Sequence, residues 1–269
     1  MVFNKKNLIK IKRAVRPKMN LLRTVTSFLL IFFLSPSLVL CAQVKLSVGL
    51  TIAPYVIKAK NTNEKDSGFE LDIIREIFAL EGYEVQFIHQ PLERTKISFK
   101  QKLVDGVTAI KKHYPEIQGS FVSDEYITYH NFAISLTAQN LKIDSIADLN
   151  NKRVIGFQQA KFAFGKEFES MAKQNLGYKE IADQKNQIGM FFLKRADVIV
   201  LDQRIFKYIR SRLKNIPTEQ EVTFHKLFAP SVFRIAFRDR KIRDVFNQGL
   251  RELRSSGRYE EIIRVYMKE

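Results

Sequence analysis

The sequence contains a single cysteine, Cys41, and no tryptophan among its 269 residues. One thiol cannot form an intramolecular disulfide, so a disulfide framework is excluded. Histidine is also scarce, and no His-x-x-x-His pair occurs among the four, which are His89, His113, His130 and His225. The sequence therefore predicts no metal site and no cofactor. It also lacks a Gly-x-Ser-x-Gly elbow, a phosphate loop and a dinucleotide fingerprint, so no motif indicates an enzyme.

Acidic residues are missing from the first 42 positions, which carry eight Lys or Arg. The run 27–42 is densely apolar and ends in the small residue Ala42. A basic segment followed by an apolar segment and a small residue predicts a secretory signal peptide over residues 1–42, cleaved after Ala42, and hence export. Met19 is an alternative true start, because it opens a conventional signal with Arg23 as its charge.

Two other interpretations of the leader stay open. A retained membrane anchor needs about 20 apolar residues, whereas this run is shorter and is interrupted by a Ser-Pro-Ser sequence at 35–37. Lipidation of Cys41 would require a lipobox, but Leu40 is bulky where such boxes carry a small residue. Cleavage without lipidation is therefore the preferred interpretation.

The chain is basic, with a formal net charge of +17 that falls to +9 when the leader is removed. Such an excess favours acidic ligands or an anionic membrane face, but a solvated basic surface is the simpler interpretation. No nucleic-acid-binding module accompanies the charge, so we predict no nucleic-acid partner. A hydrophobic content of 45%, with 22 phenylalanines, is enough for packed cores and excludes a disordered chain.

Periodicity predicts an α/β fold. Apolar residues recur at helical spacing from Leu71 to Phe78, Gly82 stands where a C-terminal cap belongs, and apolar residues then alternate from Tyr83 to Phe87. Further strands are predicted at 44–49, 105–110, 129–136, 197–201 and 231–237, and further helices at 92–103, 161–174, 186–194, 203–213, 242–253 and 257–267. Strands that alternate with helices indicate mainly parallel sheets flanked by helices.

Three motifs carry a resemblance to a known family. They are Gly68-Phe-Glu-Leu-Asp, then Ile146-Ala-Asp-Leu-Asn-Asn-Lys-Arg-Val-Ile-Gly, and the C-terminal Phe246-Asn-Gln-Gly-Leu-Arg-Glu-Leu-Arg-Ser-Ser-Gly-Arg-Tyr. Their order and spacing resemble the periplasmic, or extracellular, solute-binding protein family 3, the type that binds polar amino acids for ABC transporters. The resemblance implies a two-lobed type II periplasmic-binding-protein fold. Lobe one would comprise residues 43–136 plus 227–269 and lobe two residues 137–226, joined by two hinge crossings.

The resemblance also implies the function. A monomeric periplasmic protein would close around a small polar solute, an amino acid or a related organic acid or amine, and deliver it to an inner-membrane ABC permease or present it to a membrane sensor. Two alternatives stay open. One is an exported dehydratase of cyclic acids on the same fold, with Glu93, Asp124 or Asp202 as its general acid. The other is an orphan sensor or scaffold with a degenerate pocket.

In open α/β sheets ligands bind beyond the carboxyl ends of the strands, and Asp202 follows the predicted strand 197–201 directly. It matches the family position whose carboxylate meets the ligand's amino group, a charge-assisted hydrogen bond. The structural alternative is that Asp202 caps the following helix, and the two roles are compatible. The sequence predicts that Asp202→Ala abolishes ligand binding and leaves the fold intact.

The family's carboxylate-binding arginine is missing, because Tyr114-Pro-Glu-Ile-Gln-Gly-Ser precedes Phe121 where that arginine would stand. This departure argues against an ordinary α-amino acid, since bidentate guanidinium geometry is hard to replace. Arg94, Lys111 and Lys112 are the nearby cations that could compensate. For each of them the alternative is a solvated surface position.

The remaining candidates also follow predicted strands. Tyr55 matches the family's aromatic ligand platform or is a packing residue. Gln158, Gln159 and Lys161 precede a helix, where backbone N–H groups can meet an anion. The family usually has Gly-Ser or Gly-Thr at this point, so the amide side chains predict altered contacts.

Overall fold

The computed structural model describes residues 42–111, 117 and 119–268, so the predicted leader up to Cys41 lies outside the described residues. The strands are β1 Ala42–Val48, β2 Tyr83–His89, β3 Gly106–Ile110, β4 Phe121–Val122, β5 Ile127–Tyr129, β6 Asn131–Leu136, β7 Val154–Phe157, β8 Tyr178–Ile181, β9 Val198–Asp202, β10 Val222–His225 and β11 Ser231–Phe237. The helices are α1 Phe69–Leu80, α2 Leu92–Lys100, α3 Lys166–Gln174, α4 Gln184–Phe192, α5 Gln203–Arg210, α6 Arg240–Ser255 and α7 Arg258–Met267. Among these helices none has the length and apolar character needed to cross a membrane.

The strands form two sheets. The first has the order β2-β1-β3-β11-β4, with β5 also paired to β11, and the second has the order β10-β6-β9-β7-β8. In the first sheet β2, β1 and β3 run parallel, and β11 lies antiparallel to β3, β4 and β5. In the second sheet β9, β7 and β8 run parallel, and β6 lies antiparallel to β9 and β10. The predicted α/β class is confirmed, but each sheet is mixed rather than mainly parallel.

The chain passes between the sheets at two places. His130 separates β5 of the first sheet from β6 of the second, and residues 226–230 lead from β10 back to β11. The sequence predicts one strand over 129–136, but His130 leaves the ladder: its N–H donates to the Asp202 carboxylate at 2.7 Å and its carbonyl accepts from Gln203. Strand pairing therefore places β6 in the second sheet. The sequence analysis ended the first part of lobe one at Leu136 and so assigned this strand to lobe one.

Three short strands, β4, β8 and β10, are missing from the sequence-based prediction. Each has four residues or fewer, so the apolar alternation is too short to stand out, and each is a strand because a neighbouring strand pairs with it. The helix predicted from Lys161 begins at Lys166 instead. Gly165 precedes it with a φ of 90°, after a short 3₁₀ turn at Ala160–Phe162.

Helices α1 and α6 pack on the first sheet, and an aromatic core lies between them and the sheet. The rings of Phe78, Phe237 and Phe246 lie 5.4 to 6.1 Å apart and are fully buried. Tilted and edge-on ring contacts of this kind add to the stabilisation by area burial. The second sheet is covered on one side by α4 and α5, where Phe206 packs on Phe192 with ring centroids 6.0 Å apart.

Gly68 joins the loop after β1 to α1. Its φ is 114°, and a Cβ at this position would lie 2.2 Å from the carbonyl oxygen of Tyr55. Only glycine can therefore occupy the position. The close approach holds the segment around Tyr55 against the start of α1, at the edge of the site described next.

Candidate functional site

A cavity of about 270 Å³ lies where strands of the two sheets end. The first sheet and its loops contribute Ala109, Lys111, Tyr129 and Phe233, and the second sheet contributes Asn131 and Asp202 together with Phe157 at the end of β7. Lys111 also lines a wider neighbouring depression of about 560 Å³. The ends of strands from two sheets thus line one cleft, as the sequence analysis expects of a ligand site.

Asp202 lies in this lining, at the end of β9, and is only 1% exposed. Its Oδ1 accepts the N–H groups of Arg204 and Ile205 at 2.9 and 3.0 Å, so it caps α5, and also the Tyr55 hydroxyl at 3.0 Å. Its Oδ2 accepts the N–H of His130. Burial raises the pKa of Asp202, although these donors oppose the rise. The carboxylate therefore fills most of its acceptor capacity with groups of the protein itself.

The ring of Tyr55 is fully buried and does not reach the cavity surface. It stacks on Tyr129, with ring centroids 4.0 Å apart and planes at 8°, and Tyr129 in turn meets Phe233 edge-on at 5.2 Å. Tyr129 and Phe233 are the aromatic side chains of the first sheet that face the cavity. Tyr55 supports this wall from behind, and its hydroxyl links the wall to Asp202.

The backbone N–H groups after β7 already hold a carboxylate. The N–H groups of Gln159 and Lys161 donate to Glu180 of β8 at 2.8 and 2.9 Å, and the hydroxyl of Tyr178 donates to the same group at 2.9 Å. Desolvation acts to raise the pKa of Glu180, but these three donors lower it overall. The place predicted for an external anion is therefore occupied by an anion of the protein. Gln158 is exposed beside it.

We expect Glu180→Ala to lower the free energy of unfolding by about 1–3 kcal/mol, because two backbone N–H groups and a hydroxyl lose their acceptor. The pKa of Glu180 is depressed in the folded state, so its contribution is present above the unfolded pKa and is lost as the pH falls through the folded one. Urea unfolding at neutral and acid pH measures the loss of stability and its dependence on pH. Lys179→Ala, at the exposed neighbour in β8, is the control. Equal losses in the two variants would contradict the assignment.

The predicted cations divide into two groups. Lys111 is exposed and lines the cavity directly after β3. Arg94 is exposed on α2 and is not part of this lining. Lys112 lies outside the described residues. Within the described part of the chain no acidic side chain forms an ion pair with Lys111.

Sequence reasoning missed Ala109, Tyr129, Asn131, Phe157 and Phe233 as lining residues. Tyr129 and Asn131 flank the residue at which the chain changes sheets, and this change is not visible in the sequence because it depends on the hydrogen bond between His130 and Asp202. Ala109 lies within β3 with a φ of 54°, where the pairing of β3 with β11 is irregular. Left-handed backbone at a non-glycine residue is uncommon and is concentrated at functional sites, but the sequence gives no sign of it.

A buried carboxyl lies behind the cavity wall. Glu70, in the first turn of α1, is 1% exposed and accepts a hydrogen bond from the hydroxyl of Tyr126. The same hydroxyl accepts the N–H of Ala109 at 3.2 Å. Burial raises the pKa of Glu70 to about 7, and the hydrogen bond from Tyr126 only partly offsets this. Among the described residues no cluster of His, Cys, Asp or Glu has the geometry of a metal site.

Comparisons with solved structures identify the fold. The chain is similar to an ancestral cationic amino acid solute binding protein, with a TM-score of 0.64 and 20% identity over 84% of this chain and 96% of that one. It is similar to an amino acid ABC transporter substrate-binding protein from Streptococcus pneumoniae bound to L-arginine, with a TM-score of 0.61 and 17% identity over 84% and 94%. It is also similar to a histidine kinase sensor domain, with a TM-score of 0.63 and 16% identity over 84% and 96%. The fold is that of the type II periplasmic binding proteins.

Residues 44–269 match the bacterial extracellular solute-binding proteins, family 3. Because the match spans most of the chain, the protein belongs to this family, and its role is the binding of a solute. A search of curated proteins found no match.

Proposed function

We propose that this protein is an exported carrier that binds a small solute in the cavity of about 270 Å³ and closes its two lobes around it. The observation that carries the proposal is the lining itself, which joins strand ends of both sheets. The lobes would meet at the two crossings, His130 and residues 226–230. The hydrogen bond from Tyr55 to Asp202 links a loop of the first sheet to a strand of the second and supports closure at this point.

The first test is ligand-dependent stability. A solute supplied at 100 times its dissociation constant should raise the free energy of unfolding by about 2.7 kcal/mol. Thermal-shift screening of the protein, purified from cells that express the full-length chain, against amino acids, organic acids and polyamines would find it. Ala163→Trp should abolish the shift by filling the cavity, whereas Ala182→Trp, at an exposed alanine, should preserve it. A shift that survives in Ala163→Trp would contradict the assigned cavity.

Uptake through an ABC permease is the proposed use of the bound solute. Support comes from the family and from the likeness to substrate-binding proteins of amino acid ABC transporters. Sensing is the second candidate, and the likeness to a histidine kinase sensor domain favours it. Deletion of the gene from its native bacterium should abolish uptake of the labelled solute. Unchanged uptake with a lost transcriptional response would indicate sensing instead.

The location follows from the same proposal. We propose that the mature protein lies in the periplasm after removal of the leader, and the match to an extracellular solute-binding family supports this location. Mass spectrometry of the exported protein should find Gln43 as the first residue. A lipid-modified Cys41, or an uncleaved chain, would favour one of the other two interpretations of the leader.

The dehydratase alternative has little structural support. Glu93 pairs with Lys96 at the exposed surface of α2, and Asp124 pairs with Arg251 at 3.6 Å. Neither lines the cavity, and Asp202 is occupied by internal donors. The family and the two amino acid carriers compared above are binding proteins.

A further inference from the structure

We infer that the solute is an aromatic monocarboxylate, a single ring with one negative charge and no ammonium group. The inference rests on the proposed function and concerns the same cavity. Three features support it. The groups that would bind an α-amino acid are largely engaged by the protein itself, the described lining contains one cation, and the cavity walls are mainly apolar and aromatic.

An α-amino acid needs a charged acceptor for its ammonium group, and the one candidate in the described lining is largely engaged by the protein itself. Asp202 is the one acidic residue in the described lining. Its carboxylate already accepts four hydrogen bonds, from Tyr55, His130, Arg204 and Ile205. A carboxylate offers about four lone-pair sites. Oδ1 accepts three of these bonds and Oδ2 one, so an ammonium group could reach only the remaining site on Oδ2, beside the His130 N–H, on a side chain that is 1% exposed.

Only one charged group of the described lining could hold a carboxylate. The family's arginine is missing from the segment before Phe121. The N–H groups of Gln159 and Lys161 are engaged by Glu180. Lys111 is then the one cation in the described lining. A single lysine suits a single anionic group, because an ammonium acts as a point charge and does not require bidentate geometry.

The walls are mainly apolar and aromatic. Tyr129 is held between Tyr55 and Phe233 as a rigid surface, and Phe157 and Ile205 contribute apolar surface from the second sheet. Ligand pockets commonly measure about 300–1,000 Å³, so a cavity of about 270 Å³ suits a molecule with one ring. Neutral hydrogen-bonding groups are present at Asn131, Gln184 and Ser231, which allows a hydroxyl substituent on the ring.

Calorimetric titration with four matched compounds tests the inference. All four compounds carry a phenyl ring. Phenylacetate adds a carboxylate and phenylacetamide a neutral amide. Phenylalanine has both a carboxylate and an ammonium group, and phenethylamine has an ammonium group alone. Benzoate and 4-hydroxybenzoate extend the carboxylate arm, and arginine and glutamate extend the amino acid arm. We expect an aromatic carboxylate to bind at least about tenfold more tightly than the matched amide, amine and amino acid.

Lys111→Gln should weaken binding of the carboxylate by about tenfold or more and leave the weak binding of the amide unchanged. Lys241→Gln, at an exposed lysine on α6, should leave both unchanged. Tighter binding of phenylalanine, arginine or glutamate than of any aromatic carboxylate would overturn the inference and leave the proposed function standing. Equal affinity in wild type and Lys111→Gln would also overturn it. Absence of binding across every class, in this panel and in the wider screen, would refute the proposed function itself.

Discussion

Replacing Asp202 by alanine is expected to lower the free energy of unfolding by about 3–7 kcal/mol. The substitution removes the cap of α5, worth about 1 kcal/mol, and leaves the buried Tyr55 hydroxyl and the N–H of His130 without an acceptor, at about 1–3 kcal/mol each. The sequence alone predicts that this variant keeps its fold intact. The structure changes that expectation, because the carboxylate joins β9, α5, a loop of the first sheet and the residue between β5 and β6.

Asp183→Ala is the matched control for this experiment. Asp183 caps α4 in the same way, accepting the N–H groups of Lys185 and Asn186, but it is exposed and is bound to no other element by these contacts. We expect a loss of about 1 kcal/mol in that variant. Urea unfolding of both proteins at neutral pH gives the comparison. A loss in Asp202→Ala no larger than in Asp183→Ala would show that the contacts to Tyr55 and His130 add no stability.

The second large effect concerns the pH dependence of stability through Glu70. Burial raises the pKa of Glu70 to about 7 in the folded state, above the ordinary value of 4.5. Between pH 4.5 and about 7 the Glu70 carboxyl keeps its proton in the folded protein and has lost it in the unfolded chain. Stability therefore falls as the pH rises from about 4.5 to about 7, by roughly 3 kcal/mol in all, and changes no further above that pH.

Glu70→Gln should remove this part of the pH dependence. Its amide oxygen can still accept the hydrogen bond from Tyr126, and the side chain carries no charge that burial would penalise. We expect wild type and variant to be equally stable near pH 4, and the variant to be more stable by about 3 kcal/mol at pH 8. Denaturant unfolding over this range, with Glu81→Gln at the exposed end of the same helix as control, measures the difference. Parallel profiles for wild type and Glu70→Gln would contradict the raised pKa.

Long elements were predictable because their information is local. The stripe from Leu71 to Phe78 predicted α1, since a helical repeat over several turns has few alternative explanations. Strands β4, β8 and β10 were not predictable, because two to four residues carry no usable period. The split of one apolar run at His130 was also hidden, since it depends on a hydrogen bond to Asp202, 72 positions further along the chain.

The candidate site divides in the same way. The sequence indicated Asp202 and Lys111, because both follow strands, and the absence of the arginine before Phe121 was visible from the residues themselves. The sequence did not show that Glu180 accepts hydrogen bonds from the N–H groups of Gln159 and Lys161. That contact requires β7 and β8 to lie side by side in register. The buried position of Tyr55 likewise follows from its stacking on Tyr129.

The sequence by itself determined the α/β class, the family and the residue types available to a ligand, because periodicity, motif order and the presence or absence of a side chain are written in the chain. The tertiary structure decided which of those residues face the cavity and which are already satisfied by the protein. Hydrogen-bonding capacity is limited, and whether Asp202 or the N–H groups after β7 have any left for a ligand depends on neighbours that only folding brings within reach.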